Sequence, residues 1–324
     1  MGLEIRRYDA TQRTSWDALV RASRNGVFLF ERDYLEYHAD RFDDASLVVW
    51  RSGEPAALLP AHRMEGADGP LLVSHGGLTF GGLVLRSDLG AQDTLDIVDA
   101  LLPALREQGW RALRVRPVPH IFHRLPSEDA LHALLQHGAR VVRTDLAHTV
   151  DLARRPPLAS RRRRALGKAA RAGVVVRPST DWPAAWAVLE QVLRERHATA
   201  PVHRLDEIQA LARRFDAIRL HGAYAGSDGG ARLLAAVVTY AYDGVLHTQY
   251  LACSDEGREV GALDAVIASL LDDAPAGTRW LSFGASTHEE GRQLNAGLAA
   301  QKEMFGARPT ILMTLELDLK ETAR

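Results

Sequence analysis

One order of predicted elements occurs twice along this chain: two helices, a hairpin, then helix, strand, helix and strand. That repetition constrains the fold more than any single motif, because each pass holds both the strands for a sheet and the helices to cover it. In the first pass the helices are Thr11–Ala22 and Glu31–Asp40. The hairpin runs Leu47–Trp50, a turn at Arg51–Gly53, then Ala56–Arg63, and strand Leu71–Ser74 leads into a glycine-rich loop. Helix Thr94–Gln108 sets Leu95, Val98, Leu101, Leu102 and Leu105 on one face, with Pro103 as a candidate kink and Gly109 as its stop. Strand Ala112–Val115, helix Glu128–Gln136 capped by Ser127, and strand Val141–Leu152 complete the pass.

The second pass opens with strand Val174–Arg177 and helices Ala184–Arg196 and Leu205–Arg214. Leu233–Tyr242 and Val245–Cys253 form a hairpin across Asp243-Gly244, a residue pair that accepts positive φ. Helix Gly261–Leu271, strand Trp280–Phe283, helix Gly291–Phe305 and strand Thr310–Leu317 follow. The expected class is α+β: two domains, 1–152 and 153–324, each a mixed, mostly antiparallel sheet flanked by helices. A chain of 324 residues is more than one core usually fills, which agrees with two.

Charge narrows the function. The net charge of −1 argues against general binding to nucleic acid or to an anionic membrane. Yet Leu152–Thr180 holds Arg154, Arg155, Arg161, Arg162, Arg163, Arg164, Lys168, Arg171 and Arg177 and no acidic residue, which predicts a local anion site. Cys253 is the sole cysteine, so an intramolecular disulfide and a Cys-based metal cluster are both excluded. The apolar run Leu233–Tyr240 is too short to span a bilayer. Residues Glu4, Arg6, Arg7 and Asp9 break any signal-peptide pattern, so the expected place is the cytoplasm.

The hairpin–helix–strand–helix–strand order resembles that of the GNAT acyltransferase fold. The segment Ser160-Arg161-Arg162-Arg163-Arg164, running on through Lys168 to Gly173-Val174, resembles the basic helix that joins the two halves of FemAB-like transferases. Gln301-Lys302-Glu303-Met304-Phe305-Gly306 is similar to that family's lysine-bearing helix end before the final strand. Ser74-His75-Gly76-Gly77-Leu78-Thr79-Phe80-Gly81-Gly82 and Pro119-His120-Ile121-Phe122-His123 resemble motifs of bacterial GNAT-type proteins. The likeness covers nearly the whole chain, although the long helical arm of some Fem proteins has no counterpart. It implies two tandem GNAT-like domains, with the basic helix as linker to a catalytic C-terminal one.

The resemblance also assigns candidate residues. In a GNAT fold the helix after the central hairpin faces the pyrophosphate of coenzyme A, where exposed N–H groups and the helix dipole favour an anion. Arg258, Gly261 and Ala262 stand there, with Leu263 where a small residue belongs; the other reading is a plain helix start capped by Ser254 or Asp255. Helical spacing sets Arg161, Arg164, Lys168 and Arg171 on one face, as a phosphate site or as a solvated basic surface. His75, Gly76 and Gly77 are candidates for presenting groups to a substrate, or for a tight structural turn. Lys302 is the expected stabiliser of the carbonyl oxyanion; otherwise it complements a helix C-terminus. Gln249 and Tyr250 lie on the strand where the fold parts to admit an acyl chain, and Ser286 ends a strand at the same sheet edge. His120 and His123 lack a third ligand, so no metal is expected.

The activity so implied is N-acyl transfer from acyl-CoA to the amine of a small, polar, phosphorylated acceptor such as a nucleotide-linked amino sugar. No cofactor is held tightly and no membrane span is needed. Two rivals stay open. One is a Fem-type amide ligase that uses aminoacyl-tRNA and touches the tRNA acceptor end. The other is a non-catalytic module that only binds.

Overall fold

A computed structural model describes residues 2–197, 199–226 and 231–320. The chain divides into two compact units: 1–145 with 289–292 and 311–324, and 146–288 with 293–310. The division does not fall at one point in the sequence, because strands Arg140–Asp151 and Arg308–Asp318 both run across it.

The first unit holds an antiparallel sheet ordered Leu3–Arg7, Leu47–Arg51, Glu54–Leu59, Val84–Leu85. A second run of strands is ordered Arg308–Asp318, Ala112–Val115, Gly69–Val73, His62–Gly66, Asp43–Asp44. Within it only Gly69–Val73 and Ala112–Val115 lie parallel, joined through helix Ala91–Glu107. That helix buries Ile97, Val98, Leu101, Leu102 and Leu105 against Leu72, Leu113 and Leu315, and it runs on through Pro103. The expected strand Ala56–Arg63 is two strands. Pro60, which has no N–H for a ladder, separates Glu54–Leu59 from His62–Gly66. The expected hairpin stands as Leu47–Arg51 with Glu54–Leu59, and a second hairpin, His62–Gly66 with Gly69–Val73, follows it before the crossover helix.

The second unit is ordered Val174–Ser179, Ile218–Ala225, Arg232–Tyr242, Val245–Cys253, Trp280–Ala285, Arg140–Asp151. Every pairing is antiparallel except Val245–Cys253 with Trp280–Ala285, joined through helix Ala262–Asp272. Val266, Ile267, Leu270 and Leu271 of that helix pack on Leu234, Val237, Leu246 and Leu281. The Asp243-Gly244 turn stands as expected, with Gly244 at φ +72°. Strands Leu3–Arg7 and Ile218–Ala225 were not foreseen. The helix expected over Gly291–Phe305 begins only at Ala296, where the Asn295 side chain accepts from Leu298 N. Gly291 instead turns the short hairpin Thr287–His288/Gln293–Leu294 at φ +86°.

Candidate active site

The parallel pair of the second unit is where its chemistry collects. Val245, Leu246 and His247 pair with Trp280, Leu281 and Ser282, and beyond that point the two strands separate. One register shift, opposite Val238 and Thr239, leaves Gln249 as a bulge just past the parting. Tyr250 beside it bonds through its hydroxyl to His203 Nδ1 at 2.5 Å and packs on Trp186, and burial pushes its phenol up to about 12. At the head of the gap lies His247, 3.1 Å from Ser282 Oγ, with a pKa pressed down to about 4 by burial and by Lys302.

The far strand ends on Lys302. Its ammonium donates to Gly284 O at 2.9 Å, Ala285 O at 2.6 Å and Ser286 Oγ at 2.9 Å, which fills all three N–H directions. The side chain is buried, and desolvation brings its pKa down to about 8. Ser286 is fully buried and pairs with His148 Nδ1 at 2.9 Å. Because the serine oxygen already accepts from Lys302, its own proton goes to His148. His148 Nε2 then faces Glu303 Oε1 at 3.6 Å. Burial first, and Lys302 next, hold the His148 pKa below its usual value, so the imidazole is neutral at neutral pH. A lysine, a serine and a histidine thus form one hydrogen-bonded chain under the strand end.

The basic helix Ser160–Arg171 starts on Ala159, whose N–H donates to Met304 O; Ser160 is its first residue and not its cap. Arg162, which the sequence did not single out, is its buried arginine. It bonds Asp264 at 2.6 Å and lies 4.7 Å over the Phe305 ring. The face expected to unite four cations is split in two. Arg161 and Lys168 line one pocket of about 360 Å³, and Arg164 and Arg171 line another surface hollow. The first pocket also carries Arg258, Gly257, Gly261, Cys253 and Gln301. Arg258 pairs there with Asp255, whereas Arg161 and Lys168 have no carboxylate partner among the described residues.

The segment expected to face a pyrophosphate forms two helices: Ser254 caps a short one, Asp255–Val260, before helix Ala262–Asp272 begins. Gly261, at φ +78°, is a glycine for packing. A Cβ there would meet Ala165 O of the basic helix at 2.7 Å, and Ala262 is fully buried. His75, Gly76 and Gly77 belong to the first unit. His75 stacks on His38 at 5.0 Å, Gly76 N donates to His62 Nδ1, and a Cβ on Gly77 would strike the His38 ring at 2.2 Å. They wrap a buried aromatic cluster. No group of residues suited to a metal ion occurs among the described residues.

Residues 158–292 match the model of the acetyltransferase (GNAT) domain. FemX is similar in structure over 97% of both chains, with a TM-score of 0.68 at 11% identity. A tandem GNAT protein from the clavulanic acid biosynthesis pathway aligns over 99% of this chain and 100% of its own, with a TM-score of 0.52 at 13% identity. The chain therefore has the GNAT fold, and its architecture is similar to that of FemX and of a tandem GNAT protein. The C-terminal domain of a putative lysylphosphatidylglycerol synthetase from Agrobacterium fabrum is also similar in structure, at 14% identity and a TM-score of 0.58 over 95% of this chain and 92% of its own. No curated protein sequence matches this chain. No helix among its described residues is long and apolar enough to cross a membrane.

Proposed function

We propose that this protein is an N-acyltransferase that moves an acyl group from acyl-CoA to the amine of a small, polar, phosphorylated acceptor, with the reaction at the parted strands of the second unit. The observation that carries this reading is a pocket with two cations, Arg161 and Lys168, that have no carboxylate partner among the described residues; its wall includes Gln301, the neighbour of the buried Lys302. A phosphate-bearing carrier fits the cations. The amine nitrogen attacks the thioester carbonyl carbon, a C–N bond forms, and the carbonyl electron pair moves onto oxygen. Collapse of that oxyanion expels the thiolate, and the amine releases a proton. Lys302 acts on the oxyanion as a fixed positive charge held in place by three acceptors, in a site shielded from water. Ser286 and His148 hold the ammonium where it is.

One observation favours a second reading, a Fem-type transfer from aminoacyl-tRNA. Ala165 O sits against Gly261, so the start of helix Ala262–Asp272 is not open to a diphosphate in the usual GNAT manner. The likeness to FemX and to a lysylphosphatidylglycerol synthetase domain supports an aminoacyl cargo. Salt separates the two. Replacing Arg161 and Lys168 together by Gln should weaken acyl-CoA binding in calorimetry by about tenfold or more, with a shallow dependence on salt. A tRNA donor would instead lose about 0.7–0.9 log units of affinity per log unit of salt for each phosphate neutralised. Acyl-CoA binding that ignores both substitutions would sink the first reading. Steep, specific tRNA binding that the double variant flattens would establish the second.

A further inference from the structure

We propose that the second hollow of the basic helix, lined by Ser160, Arg163, Arg164, Gly167 and Arg171, takes the 3′-phosphate of coenzyme A. The donor would then be a free acyl-CoA and not an acyl group on the phosphopantetheine arm of a carrier protein. The inference rests on the acyl-CoA reading above and deepens it. Three guanidiniums and one hydroxyl make up this lining, and no carboxylate stands in it. Other arginines of the same unit meet carboxylates: Arg155 meets Asp272, Arg162 meets Asp264 and Arg232 meets Glu256. Arg163, Arg164 and Arg171 have no carboxylate partner among the described residues.

The arrangement is unfavourable for the helix by itself. Arg161, Arg162, Arg163 and Arg164 fill its first turns, where the helix dipole disfavours cations, and no acidic residue offsets them. Arg164 has Arg161 and Lys168 as neighbours three and four positions away, and like charges at that spacing repel. Gly167 adds to the cost, because glycine inside a helix gives up more chain freedom than alanine does. Its missing side chain leaves the floor of the hollow bare. A Cβ there would lie 3.4 Å from Arg171 Nη1, so the guanidinium of Arg171 lies back over Gly167. A bound dianion accounts for these features together. A phosphate monoester carries about −1.5 to −2 charges at pH 7, more than the single charge of a diester, and its oxygens suit the forked donors of arginine. Arg161 and Lys168, on the other side, line the pocket assigned above to the phosphate-bearing carrier. With Arg164 and Arg171 they form one ridge, and a hollow lies on each side of it. Coenzyme A carries a diphosphate on the 5′ carbon of its ribose and a monoester on the 3′ carbon, so one sugar ring holds two anions apart. A carrier protein's phosphopantetheine has a single phosphodiester and would leave the second hollow unused.

The full-length protein is titrated by calorimetry with coenzyme A and with 3′-dephospho-coenzyme A, at about 0.15 M salt to screen distant charges. Coenzyme A should bind about tenfold more tightly or better. Arg164→Gln combined with Arg171→Gln should bring coenzyme A down to the affinity of the dephospho form, and shift the dephospho form by about twofold at most. Arg154→Gln removes an exposed arginine outside both hollows and should alter neither affinity. The three positions are exposed, and thermal melts check that each variant is folded. Equal affinity for the two nucleotides, an equal loss of both in the double variant, or the same loss from Arg154→Gln would each overturn the inference while leaving acyl-CoA as the donor. Binding of neither nucleotide would remove the acyl-CoA reading, and the inference with it.

Discussion

Each unit contains one parallel strand pair joined through a helix, and the two pairs end differently. In the first, Leu71, Leu72 and Val73 pair with Ala112, Leu113 and Arg114, and the glycine loop then sews the gap shut. Ser74 N donates to Arg114 O, Arg116 N to Ser74 Oγ, and Gly81 N to Arg116 O. In the second unit the ladder ends at His247 and Ser282, and past it Thr248 Oγ1 donates across the strands to Ser282 O at 3.4 Å. The carbonyls of Gly284 and Ala285 go to the ammonium of Lys302. The same framework is finished once with neutral backbone donors and once with a buried cation. The proposed reaction gives that charge a use, and substitution at Lys302 tests whether it has one.

The largest effect that tests this contrast is Lys302→Met. Turnover should fall by roughly 10²–10³ with KM nearly unchanged, as when a group that acts only in the transition state is lost. A variant of native rate would make the second pair a joint like the first. Next comes pH. Burial sets the Lys302 pKa at about 8, so the ammonium is present below that value and lost above it. The native rate, taken relative to Lys302→Arg to cancel ionisation of the acceptor amine, should decline by about tenfold per pH unit well above pH 8. Stability should move the opposite way. The unfolded lysine, with its pKa near 10.5, binds more protons than the folded one between about pH 8 and 10.5, so this group's contribution makes unfolding harder as pH rises through that window. Denaturant midpoints of native and Lys302→Met protein across that range would expose a wrong sign.

Two smaller effects address the strand ends themselves. Gly81→Ala puts a Cβ within 2.4 Å of Ser74 O, and should destabilise the protein by about 1–3 kcal/mol while the reaction in the second unit proceeds. Gly284→Ala meets only the edge of the His247 ring at 3.3 Å, but must adopt φ +69°. About 1–2 kcal/mol is expected there. Urea unfolding of both variants ranks them, and the reverse order would mean that the sewn pair is the looser of the two.

Much of this was legible beforehand for identifiable reasons. The Asp243-Gly244 hairpin, the amphipathic helix over Thr94–Gln108 and the basic helix all declare themselves through local turn chemistry, periodicity or charge, and each appears. Lys302 was singled out by its helix end, and it does reach the parted strands. What local pattern could not supply was pairing at long range. His148 and Ser286 meet across 138 residues, and nothing near either one signals the other. Arg162 looks like its three arginine neighbours in sequence; only Asp264 and Phe305, brought up by the fold, set it apart. Glycines stayed ambiguous for a related reason. Gly77 and Gly261 were each read two ways, as backbone presented to a ligand or as a plain turn and helix start, and the space left by each missing Cβ is filled by His38 and by Ala165 O. Both uses need the same missing Cβ.

The strand Arg308–Asp318 sets an order of events during synthesis. Its residues Leu315–Asp318 pair with Ala112–Val115, and Leu315 and Leu317 enter the core of the first unit. Yet the ribosome makes them only after the entire second unit. The unit begun first is therefore the one completed last: until that strand emerges, the edge of Ala112–Val115 and part of an apolar core stay open, while residues 146–310 are already in hand to close on themselves. Released chains truncated at residue 310 should accordingly carry a folded second unit beside a first unit that binds chaperones.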